Sequence, residues 1–423
     1  MRNDYCSYFY YLGFNRLFSF TIKAKINLFK KVNADILKVA VNNYAKRHKW
    51  LLKSLIYKNH EYVFIKNDLP IVIAPYKNKR IKLNAKESNY HLIYVQYKDN
   101  AIYFNISHAI IAGMSFNRVI LRILHEYIDL LEGDSLKEKN DILKNEDLSP
   151  QIGDFKDIKP LTTLKKYKNV LIPIKENLFN LIFKNGISVL YEFKIEDLLK
   201  VAHSVEASPA ALFTALMYLT INKVYPRNKK IIEGINMQNA LLSFPKYVNY
   251  HGFVISHIYH HFDAKVKDYS LEKLCTVIRG AIFAQSDSSM DGYLIKKTLE
   301  EIEKLDQNKN YIKKALQFTL YNPTLNIRES KSTFSVSYNG KNIDERLKKY
   351  INNYFYFVDG QLIAEITSLN DKLFLSFQIN KNGHKYIDAF ESIMDKYNVK
   401  YLRLAKEKRF LPRMARCRYL NKK

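Results

Sequence analysis

The chain has 423 residues, 47% of them hydrophobic, 14% aromatic and 26% charged, which excludes a disordered chain. At roughly 150 residues per domain, it has room for two or three domains and a sizeable core. Lys and Arg number 68 against 41 Asp and Glu, and the resulting +27 leaves nucleic acid, an anionic membrane surface or an acidic soluble partner to be weighed.

Residues 18–26 alternate apolar and polar as a strand does. Asn33 is placed to cap a helix running to Ala45, with Ile36, Leu37, Val39, Ala40 and Tyr44 on one face. Strands are predicted at 62–66, 71–74, 92–97 and 102–110. A helix follows over 114–131, with Phe116, Val119, Ile120, Ile123, Leu124, Tyr127 and Leu131 at helical spacing, and Gly133 is its C-cap candidate. Residues 133–170 are charged and unpatterned, which makes them the candidate crossover between domains 1–165 and 166–423. A strand at 186–195 then leads into a helix, and a second helix starts at Ser208 as N-cap with Pro209 in the first turn. Strands at 230–236 and 252–262 precede helices near 271–285 and 294–304. Strands at 333–338, 356–367 and 373–379 lead to a helix near 386–397. Strands and helices fall in both halves and the strands are often consecutive, so the expected class is α+β with mixed sheets in two pieces.

The sharpest segment for chemistry is 102–115. Ile102, Phe104, Ile106 and His108 share one strand face, so an apolar row ends in a titratable ring, and Gly113 permits a tight turn into the next helix. Taken alone, such a histidine is either a satisfied core residue or a catalyst.

The run Ser107-His108-Ala109-Ile110-Ile111-Ala112-Gly113 resembles the HxxxDG motif of the CoA-dependent acyltransferase superfamily. That superfamily includes chloramphenicol acetyltransferase, peptide-synthetase condensation domains and alcohol acetyltransferases. Four further elements resemble family segments in the family's order. Arg47-His48-Lys49-Trp50-Leu51-Leu52 is similar to its RHP-x-LR segment. Asn236-Met237-Gln238 with Gly252-Phe253-Val254 is similar to its NLR … G-x-x-V region. Ser335-Val336-Ser337-Tyr338-Asn339-Gly340 is similar to its SNLG element, and Asp359-Gly360 through Phe377 with the last helix to its closing strands. The bacterial alcohol acetyltransferase-like members are the nearest in pattern.

The resemblance implies two chloramphenicol-acetyltransferase-like subdomains with helices on mixed sheets and a tunnel between them. The histidine would lie at the middle of the tunnel, and an acyl-CoA or acyl-carrier-protein thioester would meet a hydroxyl or amine acceptor there. His108 would be the general base. Neutral imidazole suits that task near pH 7, and such help is typically worth roughly 10²–10⁴ in rate. The thioester is already activated, so neither a metal nor a permanently bound cofactor is expected. An oxyanion donor is still needed, and Ser337, Tyr338 or Asn339 is placed to supply it, although the same three residues read equally as a strand-to-turn connection.

Two positions depart from the pattern: Ala112 stands where the family has aspartate, and Gln238 where it has an arginine that we take to be the partner of that aspartate. Losing one member of a buried pair costs about 3–5 kcal/mol, whereas losing both together is nearly neutral, so the fold is expected to survive. His108 would be held differently, and the alternative is a catalytically impaired homologue acting as a binding or scaffold protein.

The other features point to ordinary structure. The histidines of 254–263 read as a strand, with His257 and His261 about 13 Å apart and His260 facing away from His261, which is no zinc geometry. His48, His60, His91, His125 and His384 are isolated, and Asp291-Gly292 reads as a turn. The basic stretch 406–423 reads as a solvated or frayed end, or as a contact for phosphate, an acidic carrier protein or a membrane surface. Lys, Asn, Ile and Tyr are jointly abundant and share A/T-rich codons, so a low-GC genome accounts for much of the charge. The lysines are spread out, which weighs against nucleic acid. Cys6, Cys275 and Cys417 are far apart and odd in number, as in a reduced cytoplasmic protein. Asp4 and Arg16 interrupt the early apolar residues, so no signal peptide is expected, and 210–221 is too short to span a membrane.

Overall fold

Ile22, Ala24 and Ile26 of strand β1 (Thr21–Leu28) are buried on one face, while Lys23 and Lys25 point to the other, as strand alternation requires. The structure, a computed structural model, describes residues 21–58, 61–133, 150–161, 167, 169–171, 186–247, 250–252, 254–308, 310, 313, 332–340, 344–358, 362–380, 383–415 and 418–419. Of the features singled out above, Asp4, Cys6, Arg16, His60, Phe253, Asp359, Gly360, Cys417, residues 18–20 and most of the charged crossover lie outside the described residues.

Helix α1 (Ala34–Arg47) begins where expected: the Asn33 side chain accepts from the N–H groups of Asp35 and Ile36 at 3.1 and 3.2 Å. Asp35 in its first turn and Lys46 and Arg47 in its last complement the helix dipole. The chain continues through β2 (Lys53–Lys58), which the sequence pattern did not mark, β3 (Glu61–Lys66), β4 (Ile73–Pro75), β5 (Lys82–Leu83), β6 (Ile93–Lys98) and β7 (Ala101–Ser107). Helix α2 (Gly113–Glu132) ends at Gly133, whose φ of 73° supplies the left-handed cap.

The second half opens with β8 (Gly186–Lys194), α3 (Ile195–Ser204) and α4 (Pro209–Val224), where Ser208 accepts from the Ala211 N–H. Then come β9 (Ile232–Asn239), β10 (Ile255–Phe262), α5 (Leu271–Gln285), α6 (Ser288–Asp306), β11 (Phe334–Tyr338), β12 (Ile351–Phe357), β13 (Ile363–Leu369) and β14 (Lys372–Asn380). Helix α7 (His384–Lys396), β15 (Leu402–Arg409), β16 (Arg413–Met414) and β17 (Arg418–Tyr419) complete the order. Among the described residues no single helix is long and apolar enough to cross a membrane. The apolar pair α3 and α4 meets at 75°, and α4 is buried.

Two mixed sheets organise these elements, in the order β12-β1-β7-β6-β4 and β10-β9-β11-β13-β14-β8-β15. The first packs on α1 and α2, and the second on α4, α5 and α7, each with its own apolar core. This is the expected class: α+β, with helices on mixed sheets.

Four sequence expectations are corrected. The strand predicted over 356–367 is two strands, β12 in the first sheet and β13 in the second; Leu362 has φ of 51° at the start of β13. The apolar residues of both strands hide the crossing because each is buried in its own sheet. The strand predicted to Ile110 stops at Ser107, and His108 begins a turn. Asp291 and Gly292 lie inside α6, because Gly292 packs where a Cβ would stand 2.4 Å from Ile158 and 3.1 Å from Phe244. The basic end is not frayed through its described part: β15 is the edge strand of the second sheet, β16 pairs with β5 and β17 with β2.

That last segment straps the halves together. Glu407 of β15 pairs with Lys25, and Thr21 Oγ1 donates to the Pro412 carbonyl at 3.0 Å. Lys23 lies beside it, with its ammonium 4.9 Å from the ring centres of both Tyr76 and Tyr103, and burial lowers its pKa to about 8. Thr367 of β13 donates to the Tyr354 carbonyl of β12 at 2.6 Å, a further tie between the sheets. Leu411, 5% exposed, closes the strap onto the first core. Leu411→Ala is expected to cost about 2–4 kcal/mol in urea unfolding, whereas a free end would cost nothing.

Candidate active site

The site grows from the turn that joins β7 to α2. Ile102, Phe104 and Ile106 anchor β7 in the first core, so the strand end is fixed in position. Ser107 then shapes the turn: its Oγ accepts from the Ala109 N–H at 3.2 Å and its carbonyl from the Ile110 N–H at 3.2 Å. His108 Nδ1 lies 3.0 Å from the Ile111 carbonyl oxygen. A carbonyl only accepts, so Nδ1 carries the hydrogen and Nε2 is the basic nitrogen of the neutral ring. Burial lowers the pKa of His108 to about 4, with the Ile111 contact opposing the shift, so the imidazole is neutral at physiological pH.

Several contacts from the second half meet this turn and the start of α2. The Ala112 N–H donates to the His251 carbonyl at 2.9 Å, and the His251 ring stacks on Trp50 at 4.1 Å. Asn239 Nδ2 contacts Met114 Sδ at 3.6 Å. A Cβ on Gly113 would stand 3.1 Å from Asn339 Oδ1, so the absence of a side chain lets Asn339 reach the start of α2. The structure therefore brings Gly113 and Asn339 together, with Ser337 and Tyr338 at the end of β11 and Gly340 in a left-handed turn at φ 78°. His108, Gly113 and Met114 are partly exposed, and so are Met237, Gln238, Asn239, Ser337, Tyr338 and Asn339 across from them. Their neighbours Ile106, Ile111, Ala112 and Ser115 are buried. The accessible surface thus follows the seam between the halves.

The two departures from the motif have separate surroundings. Ala112 is 4% exposed and is the N-cap of α2 without a side-chain cap bond. Gln238 Nε2 donates to Asp291 Oδ2 at 3.3 Å, which also accepts from Ser243 Oγ at 2.6 Å. Burial raises the pKa of Asp291. The sequence reading missed Asp291, which the Asp-Gly pair disguised as a turn. It also missed Glu365, a carboxyl 3% exposed on β13 that hydrogen-bonds Ser337. Its one visible signal was an acidic residue within an apolar strand run.

Four of the other histidines have structural partners. His260 Nε2 contacts Asn236 Oδ1 at 2.5 Å, and His261 Nε2 contacts Glu233 Oε2 at 2.9 Å on the opposite face of β10. His125 pairs with Asp344 at 2.6 Å, and His91 with the Leu69 carbonyl at 2.6 Å. Among the described residues no group of three or more His, Cys, Asp or Glu is arranged to hold a metal ion.

No family model and no curated protein sequence matches the chain. Solved structures do. The epimerization domain from the third module of tyrocidine synthetase B aligns with a TM-score of 0.60 at 11% identity, over 92% of this chain and 94% of that one. TRI101 of F. graminearum, complexed with coenzyme A and T-2 mycotoxin, gives 0.60 at 10% identity over 92% and 98%. The first condensation domain of the CDA synthetase gives 0.60 at 8% identity over 93% and 94%. The chain has the condensation-domain fold. At these identities the likeness carries the fold alone, and it extends over both halves of the molecule.

The buried surroundings of the two departures make opposite demands on a restored charge. Ala112→Asp alone is expected to cost about 2–4 kcal/mol in urea unfolding, because it buries a carboxylate that capping α2 offsets only in part. Gln238→Arg alone is expected to change stability by less than about 1 kcal/mol, because Asp291 receives the guanidinium. Equal costs would contradict this assignment.

Proposed function

We propose that the protein is an acyltransferase that moves an acyl group from a coenzyme A or carrier-protein thioester to a hydroxyl or amine. The observation that carries this reading is the His108 ring, partly exposed at the seam and tied through Nδ1 to Ile111, so that Nε2 is the proton acceptor. His108 takes the acceptor's proton as the acceptor attacks the thioester carbonyl, then returns a proton to the departing thiolate. Ser337, on the face of β11 away from the second core, and Asn339, which meets Gly113, supply hydrogen-bond donors to the oxygen that becomes negative in the tetrahedral intermediate, whereas Tyr338 packs on the second core. Ser107 and Gly113 hold the turn, and the Gln238–Asp291 contact sits at the edge of the same seam. On this reading the donor reaches His108 from one side of the seam and the acceptor from the other. TRI101 is a coenzyme A complex, and condensation domains share the fold, which supports this substrate class.

The second reading, a homologue that binds without turning over, is favoured by one observation: Gln238 pairs with Asp291, and Ala112 offers no carboxylate to the turn. The two readings separate on thiol release from acetyl-CoA in the presence of small alcohols and amines. In the active protein, His108→Ala lowers kcat by about 10²–10⁴. Because the ring loses its proton near pH 4 rather than 6.5, kcat/KM stays flat down to about pH 5 and falls below it. Unchanged turnover in His108→Ala, or an acid limb centred near 6.5, would remove His108 as the base.

A further inference from the structure

Val336 and Ala364 are buried in the second core, so Ser337 and Glu365, next to them on β11 and β13, point from the opposite face toward the first sheet. The two lie directly opposite each other in the parallel pairing of these strands and are hydrogen-bonded through their side chains. Two residues beyond Ser337, just past the end of β11, Asn339 meets Gly113 at the start of α2. Glu365 is thus one hydrogen bond behind Ser337 and buried, with Tyr356 of β12 near it on the other side.

Resting on the acyltransferase reading above, we infer that Glu365 is a positioning residue that turns the Ser337 hydroxyl toward the reacting carbonyl. A serine hydroxyl has one hydrogen to give and two lone pairs to accept with. If the carboxyl behind it were ionised, it would be acceptor-only and would draw that hydrogen away from substrate. Burial pushes the pKa of Glu365 up to about 8, against the Ser337 hydrogen bond, which favours the ionised form, so the carboxyl is mainly the acid at neutral pH. The acid O–H then donates to Ser337 Oγ, and the serine's own hydrogen is left to point outward into the seam. A buried carboxyl in the middle of a strand costs stability unless it is paired, and this arrangement accounts for its presence. Glu365 touches no reacting atom itself; it acts through Ser337.

Two variants and two measurements test this. Glu365→Gln keeps the length and an N–H donor, whereas Glu365→Leu keeps the volume and removes the donor. Crystal structures of both variants and of the wild type read the Ser337 rotamer without any need for turnover. The wild-type rotamer is expected in Glu365→Gln and a rotated hydroxyl in Glu365→Leu; an unmoved Ser337 in Glu365→Leu would overturn the inference. Kinetics with acetyl-CoA as the probe read the consequence. Glu365→Leu is expected to lower kcat at least 10-fold with KM within about 3-fold, Glu365→Gln to recover most of the loss, and Ser337→Ala combined with Glu365→Leu to lose no more than Ser337→Ala alone. Wild-type kcat in Glu365→Leu overturns the inference while leaving the acyltransferase reading intact. A wild type that releases no thiol defeats that reading, and the rotamers still decide whether Glu365 positions Ser337.

Discussion

The hydrogen bond from His108 Nδ1 to the Ile111 carbonyl ties an imidazole to the backbone of the turn that carries it. The bond closes within the turn, and the turn is fixed by β7 on one side and α2 on the other, so ring, strand and helix form one unit. The bond also decides the chemistry. With the hydrogen on Nδ1, only Nε2 can take a proton, and burial keeps the ring neutral well below pH 7.

Bringing the halves to that point takes several unrelated ties. β12 leaves the second half to join the edge of the first sheet beside β1, and Tyr354 and Tyr356 bury their hydroxyls against each other at 2.6 Å. Glu407 and the strap through Leu411 to Met414 bind the back of the first sheet. The Ala112–His251 bond and the Gly113–Asn339 approach hold the front. The seam is consequently a site made by tertiary contacts rather than by one segment. That is why the exchange of the expected aspartate and arginine for Ala112 and Gln238 can be absorbed: Gln238 finds Asp291, and Ala112 packs in the core with its N–H satisfied.

Local signals were the most legible part of the sequence. Asn33, Ser208 with Pro209, and Gly133 mark helix ends through the side chain or backbone geometry a cap requires, and each functions as read. The apolar row of β7 and the Gly113 turn marked out the His108 turn, and Asn339 meets that turn at Gly113. What failed to show depends on contacts far along the chain. β12 and β13 are both buried apolar strands, and nothing in their alternation says that they belong to different sheets. The two-residue strands β16 and β17 exist because β5 and β2 are there to pair with. Asp291 is buried because α6 lays Gly292 against Ile158 and Phe244, a packing that an Asp-Gly pair does not announce.

The central claim is a neutral His108 ring with its hydrogen on Nδ1, and nitrogen NMR of the isotope-labelled imidazole reads it directly. The account predicts an unprotonated Nε2 and a protonated Nδ1 from about pH 5 upward, with a transition only as the pH approaches about 4. A ring that titrates near 6.5, or one that carries its hydrogen on Nε2, would contradict it.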